Sequence, residues 1–84
     1  MTQQFPLIYT HKAFEDFRNL PKANRRQVKS MINKIIRGDK KTFSKIRIRG
    51  AYHNLDAGEY TIVFAFHRPS LTICILRIFP TSNR

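Results

Sequence analysis

Gly58-Glu59-Tyr60-Thr61-Ile62-Val63-Phe64-Ala65-Phe66-His67-Arg68-Pro69-Ser70-Leu71-Thr72-Ile73-Cys74-Ile75-Leu76-Arg77-Ile78-Phe79 is the stretch whose reading decides the fold. Two runs of β-forming residues, Tyr60 to Phe66 and Leu71 to Phe79, flank a short break at His67-Arg68-Pro69-Ser70. A strand with one wet face alternates apolar and polar residues, whereas these runs are apolar on both faces for most of their length. They read as the two central strands of a small sheet, joined as an antiparallel hairpin through a loop that contains Pro69.

Working outward, Asp56-Ala57-Gly58-Glu59 reads as the tight turn that leads into this hairpin. Tyr52-His53-Asn54-Leu55 begins another extended piece before it. Lys45-Ile46-Arg47-Ile48-Arg49 alternates strictly, which predicts a strand with both isoleucines on a dry face and all three cations on the other. Asp39 to Ser44 reads as a charged loop. Val28, Met31, Ile32, Ile35 and Ile36 recur at i, i+3, i+4, i+7 and i+8, an amphipathic helix that Pro21 opens and Gly38 stops. Its opposite face carries Arg25, Arg26, Lys29, Asn33, Lys34 and Arg37. Ala13, Phe14, Phe17 and Leu20 predict a helix over residues 11–20, with Thr10 as its N-cap. Phe5 to Tyr9 is short and β-prone, with Pro6 near its start, and reads as an edge strand. The order is therefore β-α-α-β-β-β: an α+β fold with two N-terminal helices packed on a small antiparallel sheet.

The chain has 84 residues and reads as a single domain, 1–84, with one core and no room for a large internal pocket. Its hydrophobic content of 42% is enough for a folded core. The single cysteine, Cys74, cannot form an internal disulfide and reads as a small buried hydrophobe; there is no zinc-type spacing. Neither a signal peptide nor an apolar run of membrane length is visible, so a reducing cytoplasm and no membrane partner are expected. Sixteen Lys and Arg against five Asp and Glu give a formal net charge of +11, and most of the excess lies between Lys12 and Arg49. That concentration favours a polyanionic partner, either a nucleic acid or an acidic protein segment.

Several of these motifs together resemble one family, the RelE/ParE toxins of bacterial and archaeal toxin–antitoxin systems. Leu20-Pro21-Lys22 resembles the joint between that family's two helices, and Lys45 to Gly50 resembles its "Lys-Leu-Arg-Gly" element. His53 to Phe64 is similar to "Tyr-Arg-Leu-Arg-Val-Gly-Asp-Tyr-Arg-Val-Ile-Tyr", and Leu71 to Ile78 to "Val-Val-Val-Leu-Arg-Val". The resemblance implies a compact toxin held inactive by a cognate antitoxin that wraps around it. The RelE branch cleaves messenger RNA in the ribosomal A site without a metal or other cofactor, while the ParE branch uses the same fold to poison DNA gyrase. Two departures from the RelE pattern bear on that choice. Thr61 stands where RelE-type enzymes carry arginine, and the tail Phe79-Pro80-Thr81-Ser82-Asn83-Arg84 has no tyrosine.

Metal-free RNA cleavage needs a base for the 2′-OH, cations for the phosphorane and an acid for the 5′-oxygen. His53 is the best-placed group for proton transfer, with Arg77 and Arg49 as the catalytic cations; His53 also reads as an ordinary loop histidine. Lys45, Arg47 and Arg49, with Arg84 and Tyr60, are the candidate nucleic-acid contacts. The strand cations could equally be a solvated face or dock an acidic antitoxin, Arg77 could pair with Glu59 or Asp56, and Tyr60 could belong to the core.

Overall fold

The computed structural model describes residues 4–83, the side chain of Asn83 excepted; Arg84 lies outside the described residues. The elements are β1 (Leu7–Tyr9), α1 (His11–Arg18), α2 (Lys22–Ile36), α3 (Lys40–Ser44), β2 (Arg47–Arg49), β3 (Tyr52–Ala57), β4 (Tyr60–His67), β5 (Thr72–Pro80) and a closing 3-10 turn, Thr81–Asn83. One five-stranded sheet has the order β1-β5-β4-β3-β2, so the hairpin β4–β5 does lie in its interior. The class is α+β, as the sequence indicates.

Local chemistry explains most boundaries. Thr10 caps α1, its hydroxyl accepting from the Ala13 amide at 3.0 Å and donating to the Leu76 carbonyl at 2.9 Å. Pro21 takes the N-cap position of α2. At the other end Asp39 N–H reaches the Lys34 carbonyl and Gly38 N–H the Ile35 carbonyl, a Schellman closure that needs Gly38 at φ +70°. Val28, Ile32 and Ile35 of α2, with Ala13 and Leu20, pack on Leu55, Ala57, Ile62, Phe64, Ile73, Ile75 and Ile78 of the sheet. Ile75 and Ile78 would face opposite ways in a regular strand; a register shift opposite Val63/Phe64 brings both into the core.

Both helices lie on this covered face. The other face presents Asn54, Asp56, Val63, Ala65 and Cys74, all half-buried, and we call it the open face. Cys74 is therefore not fully enclosed.

Four features differ from the sequence reading. The sheet is mixed, because β1 runs parallel to β5, pairing Leu7 with Ile73 and Tyr9 with Ile75. The two strands are separated by nearly the whole chain, so no hairpin fixes their sense; the capping of α1 on β5 through Thr10 does. Second, Tyr52–Ala57 is a full strand, so four strands follow the helices. Third, residues 40–44 are helical, because Asp39 accepts from both the amide (3.0 Å) and the hydroxyl (2.8 Å) of Thr42. Those two bonds, the hydroxyl's first, also hold the Asp39 carboxyl below its ordinary pKa. Fourth, that helix takes Lys45 as its C-cap in the α conformation, which shortens the predicted strand to Arg47–Arg49. Ile46 still packs against the core, but Ile48 on this short edge strand is 70% exposed.

Candidate nucleic-acid interface

The edge strand β2 and its neighbour β3 decide which candidates share a surface. Arg47 pairs with Asn54, Ile48 with His53 and Arg49 with Tyr52. Cross-strand partners share a face and successive residues alternate. Arg47 and Arg49 therefore stand on the open face with Asn54 and Tyr52, while His53 stands on the covered face with Ile48 and with its β4 partner Phe64. The His53 ring stacks on Phe64, centroids 5.2 Å apart, and its Nδ1 is enclosed without a hydrogen-bond partner. It lines an open apolar groove of ≈ 210 Å³ with Phe43, Ile46, Ile48, Phe66 and Ile73. The structure thus does not bring His53 together with Arg49.

Arg47 is held in place. Its guanidinium forks onto Asp56, Nη2 to Oδ1 at 2.9 Å and Nη1 to Oδ2 at 3.1 Å. The buried Thr61 hydroxyl donates to the same carboxylate at 2.9 Å and lies 3.0 Å from the Thr81 hydroxyl in the closing turn. The residue at position 61 therefore helps to orient Arg47 instead of adding a cation. Charge-assisted forks of this kind fix a side chain more firmly than a single contact does. Two of the five guanidinium N–H groups are engaged, so donors remain for a phosphate.

Arg77 is tied elsewhere. It pairs with neither Glu59 nor Asp56: its Nε donates to Asp16 Oδ2 on α1 at 2.8 Å, and the Ile78 amide donates to that same oxygen at 3.0 Å. Here β5 has run past the end of β1, and Asp16 satisfies an edge amide that no strand reaches. Burial pushes the Asp16 carboxyl up, but the hydrogen bonds from Arg77 and Ile78 and the charges of Arg77 and Lys12 outweigh it, leaving the pKa below its ordinary value. Tyr60 is half-buried against the core, beside Ala57 and Pro80.

Arg49 at the sheet edge and Lys45 at the end of α3 remain exposed, and among the described residues neither has an ion-pair partner; because Lys45 is helical, strand alternation does not put it on one face with Arg47 and Arg49. Tyr52, 54% exposed and paired with Arg49, is a residue that the sequence reading passed over. The signal for it was the register of β2 on β3, which local pattern does not supply. Two arginines, Arg47 and Arg49, and an exposed tyrosine along one edge can hold phosphate and stack a base.

No protein-family profile matches the chain, and no curated relative does. Solved structures do. A chain of the toxin–antitoxin complex RelBE2 from Mycobacterium tuberculosis superposes with a TM-score of 0.76 at 17% identity, over 92% of this chain and 98% of that one. A chain of the archaeal RelE–RelB complex from Pyrococcus horikoshii gives 0.73 at 18% identity, over 100% of both. The isolated RelE toxin of Escherichia coli gives 0.75 at 14% identity, over 90% of this chain and 83% of that one. Helices packed on one face of a five-stranded sheet, ordered β1-β5-β4-β3-β2, are in this chain the RelE fold.

Proposed function

We propose that this chain is the toxin of a toxin–antitoxin pair and that it acts on RNA as a metal-independent, ribosome-dependent messenger-RNA endonuclease in the cytoplasm. The observation that carries the reading is the open sheet face of a RelE fold, whose edge strand bears Arg47 and Arg49, with Lys45 just before it at the end of α3, in a chain of net charge +11. In this proposal the 2′-oxygen attacks the phosphorus and the bond to the 5′-oxygen breaks, water taking the 2′-proton and supplying one to the 5′-oxygen, while Arg49 and Lys45 neutralise the charge on the phosphorane and the pinned Arg47 sets the register of the backbone. Tyr52 stacks a base next to Arg49. The partner is an antitoxin whose acidic, amphipathic segment covers the same edge, with an apolar side chain entering the groove beside Ile48 and Phe43.

The placement of His53 on the covered face favours a second reading, because the predicted base stands away from the cations it was to work with. In that reading the protein is a toxin that acts by binding, as ParE does on gyrase. Induced expression in a bacterium followed by primer extension along an abundant message separates the two. Cuts in translated regions that disappear when translation is blocked are the expected result. Growth arrest with intact messages, together with inhibition of gyrase supercoiling by purified protein, would replace the first reading with the second.

A further inference from the structure

The outer face of α2 breaks two local rules at once. The helix, Lys22–Ile36, contains no acidic residue, and Lys22, Arg25 and Arg26 sit near its N-terminus, where the helix dipole disfavours cations. Arg25 and Lys29 are four apart and Arg26 and Lys29 three apart, spacings at which like charges repel on a helix. Among the described residues no ion pair relieves them. Asp39, whose pKa responds to the charges of Lys34 and Arg37, is committed to capping α3. Local rules broken without compensation inside the fold mark a surface shaped by something outside it.

Arg26, Lys29, Ser30, Asn33 and Arg37 line one shallow cleft along this face, opposite the buried Val28, Ile32 and Ile35. From Arg26 to Arg37 the stripe is straight, spanning roughly 16 Å at the helical rise. It contains no aromatic residue, which separates it chemically from the sheet edge, where Tyr52 stands beside Arg49. Single strands are gripped by cations interleaved with aromatic platforms. Double-stranded RNA is gripped through its phosphates and 2′-hydroxyls, by cations and small polar side chains on a rigid element.

We infer that the outer face of α2 is a second RNA-binding surface, one that takes the backbone of an RNA duplex, with Arg26, Lys29 and Arg37 on phosphates and Ser30 and Asn33 within the reach of sugar hydroxyls. The inference deepens the RNA-directed reading above: the sheet edge engages a single strand, and α2, on the covered side of the sheet, anchors the protein to a structured RNA nearby.

The test is fluorescence anisotropy of a labelled 20-base-pair RNA duplex over a range of salt concentrations, with purified protein. The variant R26Q/K29Q/R37Q removes three cations and leaves the helix intact, since glutamine is as good a helix former and the repulsion is relieved. Its melting temperature is expected to match or exceed that of the parent. The expected result is a loss of at least about tenfold in duplex affinity and a salt-dependence slope shallower by about 2 to 3. A second variant, K40Q/K41Q/R68Q, removes the same charge from other exposed positions and is expected to change duplex affinity by less than about threefold. Equal losses in the two variants would overturn the proposal, because the binding would then follow net charge alone. So would equal or tighter binding of a DNA duplex of the same sequence. So too would unchanged duplex binding by the α2 variant combined with lost binding of a co-expressed antitoxin. Failure of the cleavage reading itself shows up separately, as intact messages with duplex binding retained.

Discussion

Arg49 and Tyr52 on the one hand and His53 on the other differ by little in sequence and by a whole sheet thickness in space. The type of each side chain was visible in the sequence. Its face was not, because face depends on register, and register depends on where a capped helix ends and the next strand starts. The same holds for Arg77, whose partner Asp16 lies 61 residues away. Arg49→Ala is expected to abolish growth arrest on induction while leaving the melting temperature within about 3 °C, since an exposed edge arginine contributes little to stability. His53→Ala is expected to retain arrest, measured in the same induction assay. Asp16→Asn is expected to cost about 1 kcal/mol at neutral pH by weakening the bonds to Arg77 and the Ile78 amide. The sign of the pH dependence follows from the lowered pKa of Asp16. Its contribution is present above the unfolded carboxylate value of about 4 and is lost as pH falls through the lower folded value. Denaturation curves of parent and variant are therefore expected to diverge at pH 7 and to draw together as pH falls below the unfolded carboxylate value.

At the scale of elements, α2 and the β4–β5 hairpin were legible because each carries a period sustained over many residues. Five residues of α3 are too few to show a period, and its only signal was Asp39 set three residues before Thr42. The hairpin loop holds Leu71 at φ +53°, a left-handed conformation that costs a residue with a branched side chain about 1 kcal/mol or more. Leu71 is 46% exposed, so little packing is lost on replacing it. Leu71→Gly is expected to raise the melting temperature by about 4 °C in calorimetry. Gly58, at φ +64° in the β3–β4 turn, lies so close to the Gln27 side chain of α2 that a Cβ would collide with it. Gly58→Ala is accordingly expected to lower the melting temperature, and the double variant with Gln27→Ala is expected to recover only the steric part of the loss.

For the whole molecule, charge is the property most easily read from sequence and hardest to place. The total of +11 pointed to a polyanion, but only the fold divides it between the sheet edge and the back of α2. The parallel pairing of β1 with β5 has a further consequence, in the order of manufacture. Leu7 and Tyr9 are made before every other element of the sheet, yet their strand partners Ile73 and Ile75 lie in β5, the last strand to be made. The β4 strand likewise waits for β5 on one side, and the α1 cap for the Ile75 and Leu76 carbonyls. A nascent chain that stops before Thr72 therefore has helices with no finished sheet to lie on. Because β1 must meet β5 before the elements between them are secure, folding waits for β5 and is nearly all-or-none. A protein proposed to attack translating ribosomes is thus kept unassembled, by its own topology, until its last strand has been made.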